Sequence, residues 1–146
     1  MEPVALCGIL GSGEGCGMSR LTSAAEAFRS LSEGGQNPWV AIGDFLDDFR
    51  RAAGDEERAS LVVTPLPLAG TPDARRWAAF LAGAVSILCR REGMPIPAWT
   101  AREEYVLDQP WFLYRGMRLR AWQLATTPGP FKARNVFCGD RALERV

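Results

Sequence analysis

Apolar positions in TPDARRWAAFLAGAVSILCRREG, residues 71–93, recur at helical spacing. Trp77, Phe80, Leu81, Ala84, Val85 and Leu88 form one continuous apolar face, which predicts a helix over 72–92. Its ends are signposted. Thr71 can cap, Pro72 suits the first helical position and Asp73 puts negative charge in the first turn. Arg90 and Arg91 sit at the carbonyl end, Gly93 follows, and Pro95 forbids continuation. At about six turns this is the central packing surface of the chain.

Other segments carry shorter versions of the pattern. Residues 19–32 place Leu21, Ala24, Ala25, Phe28 and Leu31 on one stripe, closed by Glu33-Gly34-Gly35. Asn37-Pro38 opens a second helix, with Trp39, Ile42, Phe45, Leu46 and Phe49 inward and Gly54 at its end. Residues 55–63 read as a third helix, and Pro65, Pro67 and Pro72 mark an extended loop after it. Past Gly93, Thr100 with Glu103 fits a capping box and predicts a short helix over 101–107. Residues 116–126 read as a helix with Met117, Ala121, Leu124 and Ala125 on one side and Leu119 and Trp122 nearby. Residues 130–135 fit one last turn, and 140–146 a terminal helix capped by Asp140. Period-two alternation is confined to residues 4–10 and 136–138. The expected fold is all-α: a single-domain irregular bundle of about five to seven helices over 19–146, preceded by a flexible glycine-rich arm over 1–18.

That arm tests a phosphate-loop reading and fails it. Gly8 and Gly13 have the spacing of GxxxxGK[ST], but Glu14 stands where the lysine must be and Gly15 follows. A carboxylate there repels phosphate. Met18 is a candidate initiator downstream of the arm.

Composition narrows the chemistry. The chain has no histidine, which removes the commonest general base, the Ser-His-Asp triad and histidine-containing zinc sites. Cys7, Cys16, Cys89 and Cys138 form no CxxC knuckle and read as reduced, structural thiols. No run approaches the ~18–20 apolar residues of a membrane helix, and the start lacks a positive flank, so the expected location is the cytoplasm. No cofactor or metal is expected. Asp44 and Asp48, four apart, have a spacing that could hold a divalent metal or share a proton. The simpler reading is a solvated acidic face (Asp44, Asp47, Asp48, Asp55, Glu56, Glu57) with Arg50, Arg51 and Arg58 as counter-ions.

Net charge is zero overall but unevenly spread. From Pro110 to Val146 seven basic side chains face two acidic ones, a net +5. The simplest reading pairs these arginines with the acidic helix inside the fold. The functional reading makes Trp111, Phe112, Arg115, Arg118, Arg120, Lys132 and Arg134 a partner-binding surface. Arginines beside large aromatics suit an acidic protein partner, or phosphate contacts with nucleic acid.

The same region carries a resemblance. Pro97-Ala98-Trp99, Pro110-Trp111-Phe112, Leu119-Arg120-Ala121-Trp122, Thr127-Pro128 and Phe131-Lys132-Ala133-Arg134-Asn135-Val136-Phe137 resemble the C-terminal helical region of helix-turn-helix regulators and antitoxin-like proteins of high-GC Gram-positive bacteria. The resemblance covers about residues 38–146. Residues 1–36 are too short and glycine-rich for the helix-turn-helix itself. The resemblance therefore implies a protein-binding module without its reader, whose partner is another protein (a toxin encoded nearby) or a second copy. The functional expectation is a non-enzymatic interaction module. A nucleic-acid-binding regulator using the basic third is the alternative, and carboxylate chemistry at Asp44, Asp47 and Asp48 comes third.

Overall fold

The structure, a computed structural model, describes residues 21–144. The glycine-rich arm therefore lies outside the described residues. Six α-helices are present among them: α1 (Ala24–Ser32), α2 (Pro38–Arg51), α3 (Asp55–Val62), α4 (Pro72–Arg91), α5 (Met117–Thr126) and α6 (Gly129–Lys132). Two-residue strands β1 (Trp111–Phe112) and β2 (Val136–Phe137) pair in parallel, Trp111 against Val136 and Phe112 against Phe137. The domain is all-α in character, as the helical periodicities predict, and no helix of the described residues is long and apolar enough to cross a membrane.

Helix α4 is the axis. Thr71 Oγ1 accepts the Ala74 N–H at 3.1 Å, so the expected cap forms. At the other end Met94 N–H reaches Cys89 O at 2.8 Å and Gly93 N–H reaches Arg90 O at 3.2 Å. This is a Schellman closure, and it needs the left-handed φ of 68° that Gly93 supplies. The burial pattern is wider than the expected stripe: every residue from Trp77 to Cys89 is buried. The reason is the second face, made of Ala78, Ala79, Ala82, Gly83 and Ser86. Small side chains there let the C-terminal segments approach the backbone. A Cβ at Gly83 would lie 2.7 Å from Phe131 Cδ1, and the Phe131 ring stacks on Phe80 with centroids 5.0 Å apart.

Around this axis, α1 and α2 contribute Ala24, Phe28, Ile42, Phe45 and Phe49 to one contiguous core. Helix α1 starts at a reciprocal box: Ser23 Oγ accepts from Glu26 N–H, and Glu26 Oε1 accepts from Ser23 N–H. Asn37 Oδ1 accepts from Trp39 N–H to open α2. On the other side, Trp99 Nε1 donates to Val62 O at 2.9 Å and the Tyr105 hydroxyl donates to Leu66 O at 3.1 Å. Those two bonds fasten the proline loop to the body and satisfy the carbonyl of the last α3 residue and that of Leu66 in the loop.

Two expected elements differ. The helix over 101–107 is replaced by two 3-10 turns, Ala98–Ala101 and Glu103–Tyr105. Thr100 is buried and its Oγ1 donates back to Pro97 O, so it is not free to cap. The terminal helix reduces, among the described residues, to one turn in which Glu144 N–H reaches Arg141 O. Helix α5 forms where expected, and its apolar side faces solvent. Met117 is 84% exposed, Leu124 47%, and the one buried residue is Gln123.

Candidate interaction site

Helix α5 is held to the body by polar clasps rather than by an apolar stripe. Gln123 Oε1 accepts the Tyr114 N–H at 3.0 Å, while its Nε2 donates to Tyr114 O at 3.0 Å and Leu119 O at 2.9 Å. The side chain thus acts as a strand partner for the segment entering α5. One turn on, Thr127 Oγ1 donates to Gln123 O and accepts from both Cys138 N–H and Gly139 N–H. Trp122 completes the attachment by lying on Gly139. Everything else on the outer side is exposed: Met117, Arg118, Leu119, Arg120, Ala121, Leu124 and Ala125.

Beneath α5 runs a groove of about 440 Å³. Ile42, Gly43 and Leu46 of α2 form its floor, and Trp39, Tyr114 and Trp122 its walls. Arg141, Ala142 and Glu144 bring the chain's C-terminal turn to its edge. Arg50 donates to Leu143 O, which pins that turn to α2. Trp39 stands edge-on to Trp77 and Phe80, so one side of its ring is anchored in the core while 39% of the residue stays exposed. Tyr114 and Trp122 face each other at 6.1 Å.

The expected partner-binding residues divide into three groups. Arg115, Arg118 and Arg120 are exposed, and among the described residues none of them joins an ion pair. Arg118 lies one helical turn before Trp122 on α5. Arg120 stacks over Phe112 with Cζ 4.8 Å from the ring centre, and Phe112 in turn stacks on Phe137 at 5.0 Å. Trp111 is an anchor: its ring meets Trp77 edge-on at 5.0 Å and it is half-buried. Lys132 is exposed on α6, which packs on α4.

Arg134 must be removed from the surface set. It is buried, with Nη1 donating to Pro130 O and Nη2 to Thr100 O, both at 2.6 Å, and to Ser86 Oγ at 3.3 Å. Its Nε has no partner, and burial holds its pKa below the ordinary arginine value. This guanidinium is a structural tie between α4, the first 3-10 turn and α6.

The acidic face also needs one correction. Asp48 is buried, not solvated. Its Oδ2 accepts the Thr22 N–H and its Oδ1 accepts Arg51 Nη2, each at 2.7 Å. Burial raises its pKa, but the hydrogen bonds from Thr22 and Arg51 together outweigh burial and hold it below the usual carboxylate value. Asp44 is exposed, so the pair does not converge, and among the described residues no cluster of acidic or sulfur side chains has the arrangement of a metal site. Burial pushes the Cys89 thiol up to about 11 and Cys138 to about 12, so both stay protonated and unreactive at neutral pH.

Sequence reasoning placed Trp39, Ile42 and Leu46 in the core and did not see that they line a groove. The available signal was Trp39 itself, a large ring at the first turn of a helix, where the end of a packing stripe meets solvent. No family model matches the chain, no curated protein matches it, and no solved structure matches it.

Proposed function

We propose that this chain is a non-enzymatic protein-interaction module of the regulatory or antitoxin-like kind, and that its partner docks on the α2–α5 groove and the outer face of α5. The observation that carries the reading is the state of α5. A helix fixed by Gln123 and Thr127 presents Met117, Leu119 and Leu124 to solvent, beside arginines that have no acidic partner among the described residues. Apolar side chains clustered with arginine at an exposed, rigidly held element are the composition of a protein interface. The absence of histidine and the buried thiols of Cys89 and Cys138 leave few groups among the described residues suited to acid–base or nucleophilic work.

The test is retrieval of a partner by the tagged full chain, followed by measurement of the mass of the purified complex. The expected result is one stoichiometric protein, lost in the Met117→Glu/Leu124→Glu double variant with no change in Tm. A monomer that retrieves nothing overturns the proposal. Nucleic-acid binding is the second reading, favoured by the exposed Arg115, Arg118 and Arg120. It requires a duplex affinity that falls steeply with salt. Exposed Met117 and Leu119 between those arginines, with exposed Leu124 one turn beyond, support the protein reading over this one.

A further inference from the structure

We infer that α5 is a lid with a single opening step: the helix, its clasp on Tyr114 and its latch on Cys138 and Gly139 release together, in the free chain and independently of any partner, while α1 to α4 and α6 stay folded. Each of those other helices packs on a neighbouring element, α1 on α2, α3 and α4, and α6 on α4. Helix α5 has no comparable pairing among the described residues, and Gln123 is its one buried residue. What holds it is a short set of side-chain contacts. Gln123 bonds the backbone of Tyr114, and Thr127 Oγ1 accepts from the Cys138 and Gly139 N–H groups. Trp122 lies on Gly139 and faces Tyr114, and Arg120 lies over Phe112.

The two polar attachments are joined through the helix itself. Thr127 Oγ1 donates to Gln123 O, so the residue that latches 138 and 139 also bonds the residue that clasps 114. Gln123 Nε2 bonds Leu119 O in the same way. Loss of either attachment therefore weakens the other. A helix of ten residues is not stable alone in water, so α5 unfolds once freed rather than swinging out intact. The turn into it is made at Gly116, whose φ of 105° favours glycine and leaves the chain free to pivot there. Opening removes the Trp122 wall from the groove and uncovers Ile42 and Leu46 of α2 on that side.

Hydrogen exchange of single amides, read by NMR in the full chain at graded low urea, tests this. The amides of Tyr114, Cys138 and Gly139 have the Gln123 or Thr127 side chain as acceptor, and those of Arg120 and Thr127 bond back along the helix. All are expected to exchange through one opening, with a common free energy and a common urea slope, both below those of residues 79–89 of α4. Thr127→Val should then speed exchange at Tyr114, and Gln123→Ala at Cys138 and Gly139, by about tenfold or more each, with residues 79–89 unchanged. Each variant is thus read at amides that its own side chain does not bond. Acceleration confined to the deleted bonds, separate openings for the three segments in the parent, or one opening that also takes in α4 each overturns the inference. If a variant does not fold, the parent's urea series decides.

Discussion

The Trp122 indole lies so close to Gly139 that a Cβ there would sit 2.1 Å from Cη2. Gly139 also has φ of 77°, in the left-handed region. The two constraints coincide, because the backbone must turn under the ring for Thr127 to hold both Cys138 and Gly139 N–H groups. Gly139→Ala should therefore dislodge Trp122 and destabilise the protein by about 2–4 kcal/mol, well above an ordinary surface substitution. Thermal melting gives the magnitude, and near-ultraviolet dichroism should show the loss of a fixed tryptophan. A variant as stable as the parent contradicts this placement of α5.

Gln123→Ala should release α5 with less damage to the rest. It removes three part-buried hydrogen bonds, to Tyr114 N–H, Tyr114 O and Leu119 O, each worth about 0.5–1.5 kcal/mol net. Hydrogen exchange should speed up in residues 114–126 while α4 stays protected. Uniform loosening of the whole chain would show that α5 is not a separately attached element.

These two residues also show where sequence reading reached its limit. The ends of α4 were legible because a cap, a proline and a glycine each have a local conformational requirement. Its apolar stripe was legible too. Its second face was not, because Ala78, Ala82, Gly83 and Ser86 add little to a hydrophobic pattern while permitting close packing. Helix α5 buries a glutamine while Met117 and Leu124 face solvent, so the apolar spacing of the helix does not announce which side packs. The groove draws on three distant segments, around residues 39–46, 114–122 and 141–144, and no local pattern announces such a meeting. Arg134 looked like its surface neighbours because the carbonyls that hold it come from backbone, which sequence does not label.

Arg134→Lys tests that tie. A single ammonium cannot span Pro130 O, Thr100 O and Ser86 Oγ in the way a planar guanidinium does. The substitution should cost about 2–4 kcal/mol. Arg134→Met, of similar length and without charge, should cost less than the lysine variant if desolvation of the buried cation is the larger effect. Urea unfolding of the two variants decides the order.

Asp48 gives the chain a defined response to acid. Its folded pKa is lowered, so the ionised form binds the fold more tightly than the protonated one. That contribution is fully present above the unfolded value of about 4 and is lost as pH falls through the lower folded value. Asp48→Asn should reduce stability at pH 7 by about 1–2 kcal/mol and flatten this part of the acid response. Chemical unfolding at pH 7 and at pH 3 is the check: a wild type and variant that differ equally at both would contradict the role of the charge.

The account stands or falls on where a partner touches the chain. Hydrogen exchange of the free protein and of its purified complex measures this directly. Added protection confined to residues 39–46 and 114–126 is the expected result. Protection gathered instead on α1 and α3, with α5 exchanging as in the free protein, would contradict the assignment of this groove and helix as the docking face.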